Sequence, residues 1–206
     1  MIIKICGFKT IPEALAAAEA GAGMIGLNFY PHSPRCVGRQ TARHICTAVP
    51  PGVCKVGVFV NATVETILQT AEECGLDAVQ LHGDFPAHRV GELAPLTVIR
   101  AVGVSGESDL ERLANVPADF LLLDTAVKGM HGGTGRTFDW RLAARARAFG
   151  KVLLAGGLNA GNVAEAIRVA NPDGVDVAGG VETAPGVKSI PLIRQFIAAV
   201  REAVGS

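Results

Sequence analysis

Eight short apolar runs recur along the chain, and stretches with helical spacing of apolar positions separate them. The strand-like runs cover residues 2–6, 24–29, 55–60, 78–81, 97–101, 120–123, 152–155 and 174–177. The helical patterns cover 12–20, 41–48, 64–74, 87–93, 109–114, 140–149, 162–170 and 191–204. Strands that alternate with helices imply a parallel sheet with right-handed crossovers. Eight such units close into a barrel or lie as an open doubly wound sheet. Their shortness favours the barrel, because 206 residues sit near the lower limit of about 200 for that architecture. The expected fold is therefore α/β, a (β/α)8 barrel, with residues 1–206 as a single domain. No linker and no strong internal repeat interrupts it. The first helix has a marked start, since Thr10 and Glu13 form a T-x-x-E capping box with Pro12 in the first turn.

Composition narrows the class without naming a chemistry. Apolar residues make up 49% and charged residues 18% of the chain, the profile of a globular protein with a large core. Its formal net charge is zero, which argues against nucleic acid or an anionic membrane surface as partner while leaving room for a local phosphate site. No apolar run reaches the 18 residues of a membrane span, and the N-terminus enters a strand at once, without the pattern of a signal peptide. Cys6, Cys36, Cys46, Cys54 and Cys74 are an odd, scattered set with no C-x-x-C pair, so a disulfide framework is not expected and a reducing cytoplasm is. His32, His44, His82, His88 and His131 show no metal-ligand spacing.

In a barrel, function belongs at the carboxyl ends of the strands. Cys6 ends the first strand, one residue before the break at Gly7, and alternation puts Ile2, Lys4 and Cys6 on one face. Taken alone, Cys6 reads best as a small buried hydrophobe. Asp124 ends an apolar run on the face of Phe120 and Leu122, where a carboxyl group should hold its proton to higher pH. Taken alone, it reads as a cap or a surface carboxylate. Strands 1 and 6 stand almost across a barrel, so together the two side chains bracket a small substrate, one as acid and the other as base. Each then needs its pKa moved toward neutrality. Glycine pairs follow the last two strands, Gly156-Gly157 and Gly179-Gly180, and suit a phosphate held by backbone N–H groups. Lys4 and Asp176 read first as a buried ion pair and second as a means of favouring the Cys6 thiolate. Gln80 and His82 face the mouth, and Arg100 ends the fifth strand. Arg35, in the loop Tyr30-Pro31-His32-Ser33-Pro34-Arg35, is shaped to grip a carboxylate. The loop at residues 129–135 reads equally as a lid or as a plain connection.

These residues, taken in order, resemble a known family. Lys4-Ile5-Cys6-Gly7, Gly26-Leu27-Asn28-Phe29-Tyr30-Pro31 with Ser33 and Arg35, and Val56-Gly57-Val58-Phe59-Val60-Asn61 match phosphoribosylanthranilate isomerase, an enzyme of tryptophan biosynthesis. So do Val79-Gln80-Leu81-His82-Gly83, Leu122-Leu123-Asp124-Thr125, Gly132-Gly133-Thr134-Gly135, Leu154-Ala155-Gly156-Gly157-Leu158-Asn159 and Val175-Asp176-Val177 leading to Gly180-Val181-Glu182. The resemblance implies a (β/α)8 barrel working without cofactor or metal. It implies an Amadori rearrangement of N-(5'-phosphoribosyl)anthranilate to 1-(2-carboxyphenylamino)-1-deoxyribulose 5-phosphate. Cys6 would be the general base, Asp124 the general acid, and Arg35 the partner of the anthranilate carboxylate. Gly156, Gly157, Gly179 and Gly180 would take the phosphate, and His82 and Asp176 join the substrate-binding set. The implied partner is this phosphorylated aminosugar, with the chain left open as a monomer or a homodimer. Ala178-Gly179 departs from the Ser-Ser or Ser-Gly usual in the family, which removes a hydroxyl from the phosphate loop. Cys36 stands where an aromatic residue often follows the arginine. The corresponding isomerase of histidine biosynthesis would show an aspartate at Cys6 and clearer two-fold similarity. A non-catalytic barrel would have lost Cys6 or Asp124.

Overall fold

The computed structural model describes residues 1–125 and 138–205, so the loop at 129–135 and His131 lie outside the described residues. Eight parallel strands close into a barrel in chain order: β1 (Ile2–Cys6), β2 (Met24–Asn28), β3 (Cys54–Val60), β4 (Ala78–His82), β5 (Thr97–Val104), β6 (Phe120–Thr125), β7 (Val152–Leu154) and β8 (Gly174–Val177). Closure is the pairing of β8 with β1, which sets Lys4 beside Asp176 and Ile5 beside Val177. The helices are α1 (Ile11–Ala20), α2 (Arg39–Ala48), α3 (Val64–Cys74), α4 (Ser108–Glu111), α5 (Trp140–Ala146), α6 (Val163–Ala170) and α7 (Ile190–Gly205).

Apolar side chains divide between two layers because each strand buries both of its faces. Met24, Val56, Ala78, Ile99, Leu122, Leu153 and Ala155 fill the barrel interior. The opposite faces, with Ile5, Ile25, Leu27, Leu81 and Leu123, pack against the surrounding helices. In α7 the buried residues Ile193, Phe196, Ile197 and Val200 recur at i, i+3, i+4 and i+7 and press one stripe inward. Thr63 caps α3 by accepting from the Thr66 N–H, and Gly75 ends that helix in the left-handed conformation.

Four expectations are corrected. The fourth crossover carries a 3-10 helix (Ala87–Leu93) in place of an α-helix, and the fifth only the short α4 followed by a 3-10 turn. Strand 8 ends at Val177 as expected, but the stretch between it and the last helix, expected to carry no further element, holds a 3-10 turn at Gly179–Val181 and an antiparallel hairpin, β9 (Glu182–Ala184) with β10 (Val187–Lys188). Thr10 caps no backbone group; its hydroxyl donates to Glu13 Oε2 at 2.7 Å, and Glu13 Oε1 accepts from the Lys188 N–H at 3.2 Å. Strand β5 runs on to Val104, with Ile99 and Ala101 inside, so Arg100 points outward and donates to the Gly83 carbonyl at 2.8 Å.

Candidate active site

Strand periodicity delivers Cys6, Asn28, Val58, Gln80, Leu122, Asp124 and Asp176 to the inner face at the carboxyl ends of β1, β2, β3, β4, β6 and β8. They line a cavity of about 210 Å³ that Tyr30, His32, Ser33, Pro34 and Arg35 cover from the β2–α2 loop. A second cavity, of about 320 Å³, opens from the same wall, sharing Asp124, Asp176 and Ala178 with the first. Its remaining wall is the two glycine loops, Gly156-Gly157 and Gly179-Gly180, with Ala155, Leu158, Asn159 and Val177. At Gly156, φ is +85°, and a Cβ there would stand 2.9 Å from the Thr125 amide nitrogen, so the loop keeps its close approach to β6 only with glycine.

Both central residues are buried. Cys6 is 7% exposed. Burial pushes its thiol up, and Asp176 adds to this; Lys4 and Lys188 pull the other way and do not prevail. The structure thus corrects the expectation that the resting thiol is moved toward neutrality. Asp124 follows its expectation: burial raises it to about 6, against the hydrogen bond it accepts from the Thr125 N–H at 2.7 Å. Asp176 adds to the rise and Lys4 opposes it.

Below the rim lies the Lys4–Asp176 pair, with Nζ donating to Oδ1 at 2.8 Å and the lysine wholly buried. Burial works against the ammonium, but the charges of Asp176 and Cys6 outweigh it and raise its pKa. The positive charge of Lys4 also works against the rise of the Cys6 thiol, so both readings of this lysine have a physical basis. Gln80 is almost fully buried, and its carboxamide lies 2.6 Å from His82 Nε2 at the mouth.

Arg35 reaches the mouth as expected, though not as a solvated arginine. It forms a two-pronged ion pair with Glu182, which also accepts from Lys188. Lys188 was missed altogether, and Glu182 was read only as part of a motif. The signal for them was the Pro185-Gly186 turn between short alternating arms, from which a hairpin is legible.

A closed (β/α)8 barrel whose mouth brings a cysteine and a high-pKa carboxyl group beside two glycine loops has the form of a barrel enzyme with its site at the carboxyl ends of the strands. The family model for N-(5'phosphoribosyl)anthranilate (PRA) isomerase matches residues 3–199, and the chain belongs to that family. It is 45% identical over 201 residues to the N-(5'-phosphoribosyl)anthranilate isomerase of Pelobacter propionicus, covering 97% of this chain and 95% of that one. The crystal structure of the Thermotoga maritima phosphoribosyl anthranilate isomerase superposes with a TM-score of 0.92 at 43% identity, covering 98% of this chain and 100% of that one. A structure of such an isomerase in complex with reduced 1-(o-carboxyphenylamino)-1-deoxyribulose 5-phosphate gives 0.89 at 41% identity, with 98% and 100% covered.

Proposed function

We propose that this chain carries out the isomerisation of its family, N-(5'-phosphoribosyl)anthranilate to 1-(2-carboxyphenylamino)-1-deoxyribulose 5-phosphate, with Asp124 as general acid and Cys6 as general base. The carrying observation is that the two side chains line one cavity, while Asp124 also borders the glycine-walled cavity beside it. A carboxyl group with a pKa of about 6 holds a proton to give near neutrality. Asp124 donates it to the ribose ring oxygen, the C1'–O bond breaks, and the nitrogen lone pair forms the Schiff base. Cys6 as thiolate takes the proton from C2', and the electron pair passes into the C1'–C2' bond and back to nitrogen, giving an enolamine. Protonation at C1' and loss of the hydroxyl proton yield the ketone. Lys4, Lys188 and Arg35 each attract a negative charge at Cys6, which favours the thiolate once substrate has displaced water.

Arg35 is read as binding the anthranilate carboxylate, supported by its place on the wall that carries Cys6. Gly156, Gly157, Gly179 and Gly180 are read as the phosphate site, supported by their convergence on one cavity. His82 and Asp176 complete the substrate wall, with Asp176 also holding Lys4. Residues 1–206 act as one isomerase domain, alone or as a homodimer. No helix of the described residues is long and apolar enough to cross a membrane. All five cysteines are unpaired, which supports a cytoplasmic setting.

The test follows the loss of phosphoribosylanthranilate fluorescence. Wild-type protein should consume it, and Cys6→Ser and Asp124→Asn should each lose most of kcat while still binding the reduced product. Iodoacetamide should inactivate through Cys6, with the reduced product protecting. Near-normal turnover by either variant, in a preparation free of host enzyme, overturns the assignment.

A further inference from the structure

The guanidinium of Arg35 is gripped along one edge. Its Nε and Nη2 donate to the two carboxylate oxygens of Glu182 at 2.9 and 2.8 Å. The Glu182 side chain is only 4% exposed. Lys188, its own side chain wholly buried, donates from Nζ to Glu182 Oε1 at 2.8 Å and to the Ala178 carbonyl at 3.0 Å. The three charges come from separate parts of the chain: Arg35 from the β2–α2 loop, Glu182 and Lys188 from the two arms of the β9–β10 hairpin. Both parts are tied to the segment after β1. Glu13 holds the Lys188 N–H, and Lys9 Nζ donates to the Pro34 carbonyl at 3.3 Å. The stem of Arg35 crosses Gly7, where a Cβ would stand 2.6 Å from its Cδ, and this brings the arginine over the end of β1 beside Cys6.

A guanidinium offers five N–H donors in one plane. Glu182 occupies the edge made by Nε and Nη2, and among the described residues no hydrogen bond takes the edge made by the two terminal nitrogens. We propose that Glu182 is a positioning residue of the mouth, which by gripping one edge of Arg35 turns the other toward a bound carboxylate. Lys188 makes this arrangement possible. It neutralises Glu182, so that the charge of Arg35 is left for an incoming anion and a carboxylate can approach without meeting a net negative group. The inference rests on the reading of Arg35 as the carboxylate partner and extends it to two residues that touch no substrate.

Binding of two ligands separates positioning from general structural support. One is the reduced product of the reaction, and the other is its counterpart made from aniline, which lacks only the carboxyl group. Glu182→Ala with Lys188→Met removes the two most deeply buried of these three charges together and leaves only Arg35, at the mouth and 15% exposed, without its counter-ion, so the pair of changes is compatible with folding. It should weaken the carboxyl-bearing ligand about tenfold, the order of one charge-assisted hydrogen bond, and leave the aniline counterpart within about twofold. Glu182→Gln keeps one acceptor for Arg35 and should lose discrimination in the same sense by a smaller factor, with KM rising more than kcat falls. Equal weakening of both ligands, or no weakening of either, overturns the positioning role. Arg35→Ala supplies the control. If it loses the discrimination and the Glu182 variants keep it, this inference alone fails; if it keeps the discrimination, the carboxylate role of Arg35 fails with it.

Discussion

Burial acts on Cys6 and Asp124 in the same direction, and this has a kinetic consequence. The proposed chemistry needs a thiolate and a protonated carboxyl group together. In the free enzyme the thiol keeps its proton to higher pH than Asp124, whose pKa is about 6, so the working arrangement is the minority one. The profile of kcat/KM against pH is then a plateau between two limbs, because the minority fraction is constant wherever one of the two protons is bound. Below the acid limb, near 6, both groups are protonated; above the alkaline limb, set by Cys6, both are ionised. Asp124→Asn should remove the bend near 6 that ends the acid limb, so that the residual rate goes on climbing about tenfold per pH unit through the wild-type plateau. A bend that persists unmoved in this variant assigns it to another group. Lys4 is a second test at this scale. Lys4→Met strands Asp176 in the barrel and should cost about 3–5 kcal/mol of stability by chemical denaturation. Lys4→Met with Asp176→Leu should regain most of it while activity stays lost.

At the scale of elements, the number and order of the strands were legible, while several of their ends and the decoration of the mouth were not. β1 and β8 were located residue for residue, because Gly7 and Ala178-Gly179 punctuate apolar runs. Thr10 and Glu13 carried a capping signature, but Glu13 is recruited by the backbone of Lys188 across the barrel seam, and tertiary demand overrides the local motif. Periodicity does not show the β9–β10 hairpin, whose arms are three and two residues long and whose one signal in the sequence is the Pro185-Gly186 turn. Its role is nonetheless large, since it supplies the counter-ion of Arg35. The adjoining glycine loop gives a prediction that separates ligand binding from folding. Gly179 has no positive φ, and its nearest neighbour to a built Cβ is the Arg35 Nη2 at 3.5 Å, an ordinary contact. Gly179→Leu should therefore fold with an unchanged Tm. Its side chain fills the cavity shared with Gly156 and Gly157, so affinity for inorganic phosphate and for the reduced product should fall together, by at least about tenfold. Retained phosphate binding moves the anion site elsewhere.

For the molecule as a whole, closure into a barrel followed from counting units, yet the sequence alone did not state what the closed ring costs. Eight strands ring an apolar interior, and the ring ends at a mouth holding a buried carboxyl group that the fold prefers protonated. The sign of the effect on stability follows directly. The folded pKa of Asp124 lies above its unfolded value, so the folded chain binds this proton more tightly than the unfolded one does. Its contribution is fully present below pH ~4, is lost as pH rises through about 6, and leaves a penalty of up to about 3 kcal/mol at neutral pH. Asn at this position keeps the acceptor for the Thr125 N–H and never ionises. Asp124→Asn should therefore unfold at higher denaturant than wild type at pH 7.5, by about 1–3 kcal/mol, with the advantage shrinking toward zero near pH 4. The same substitution that removes the proposed acid would then strengthen the barrel, as expected where a strained group is kept for its chemistry. A variant that is no more stable than wild type at pH 7.5, or whose advantage is the same at both pH values, would show that the raised pKa of Asp124 is not a cost the fold bears.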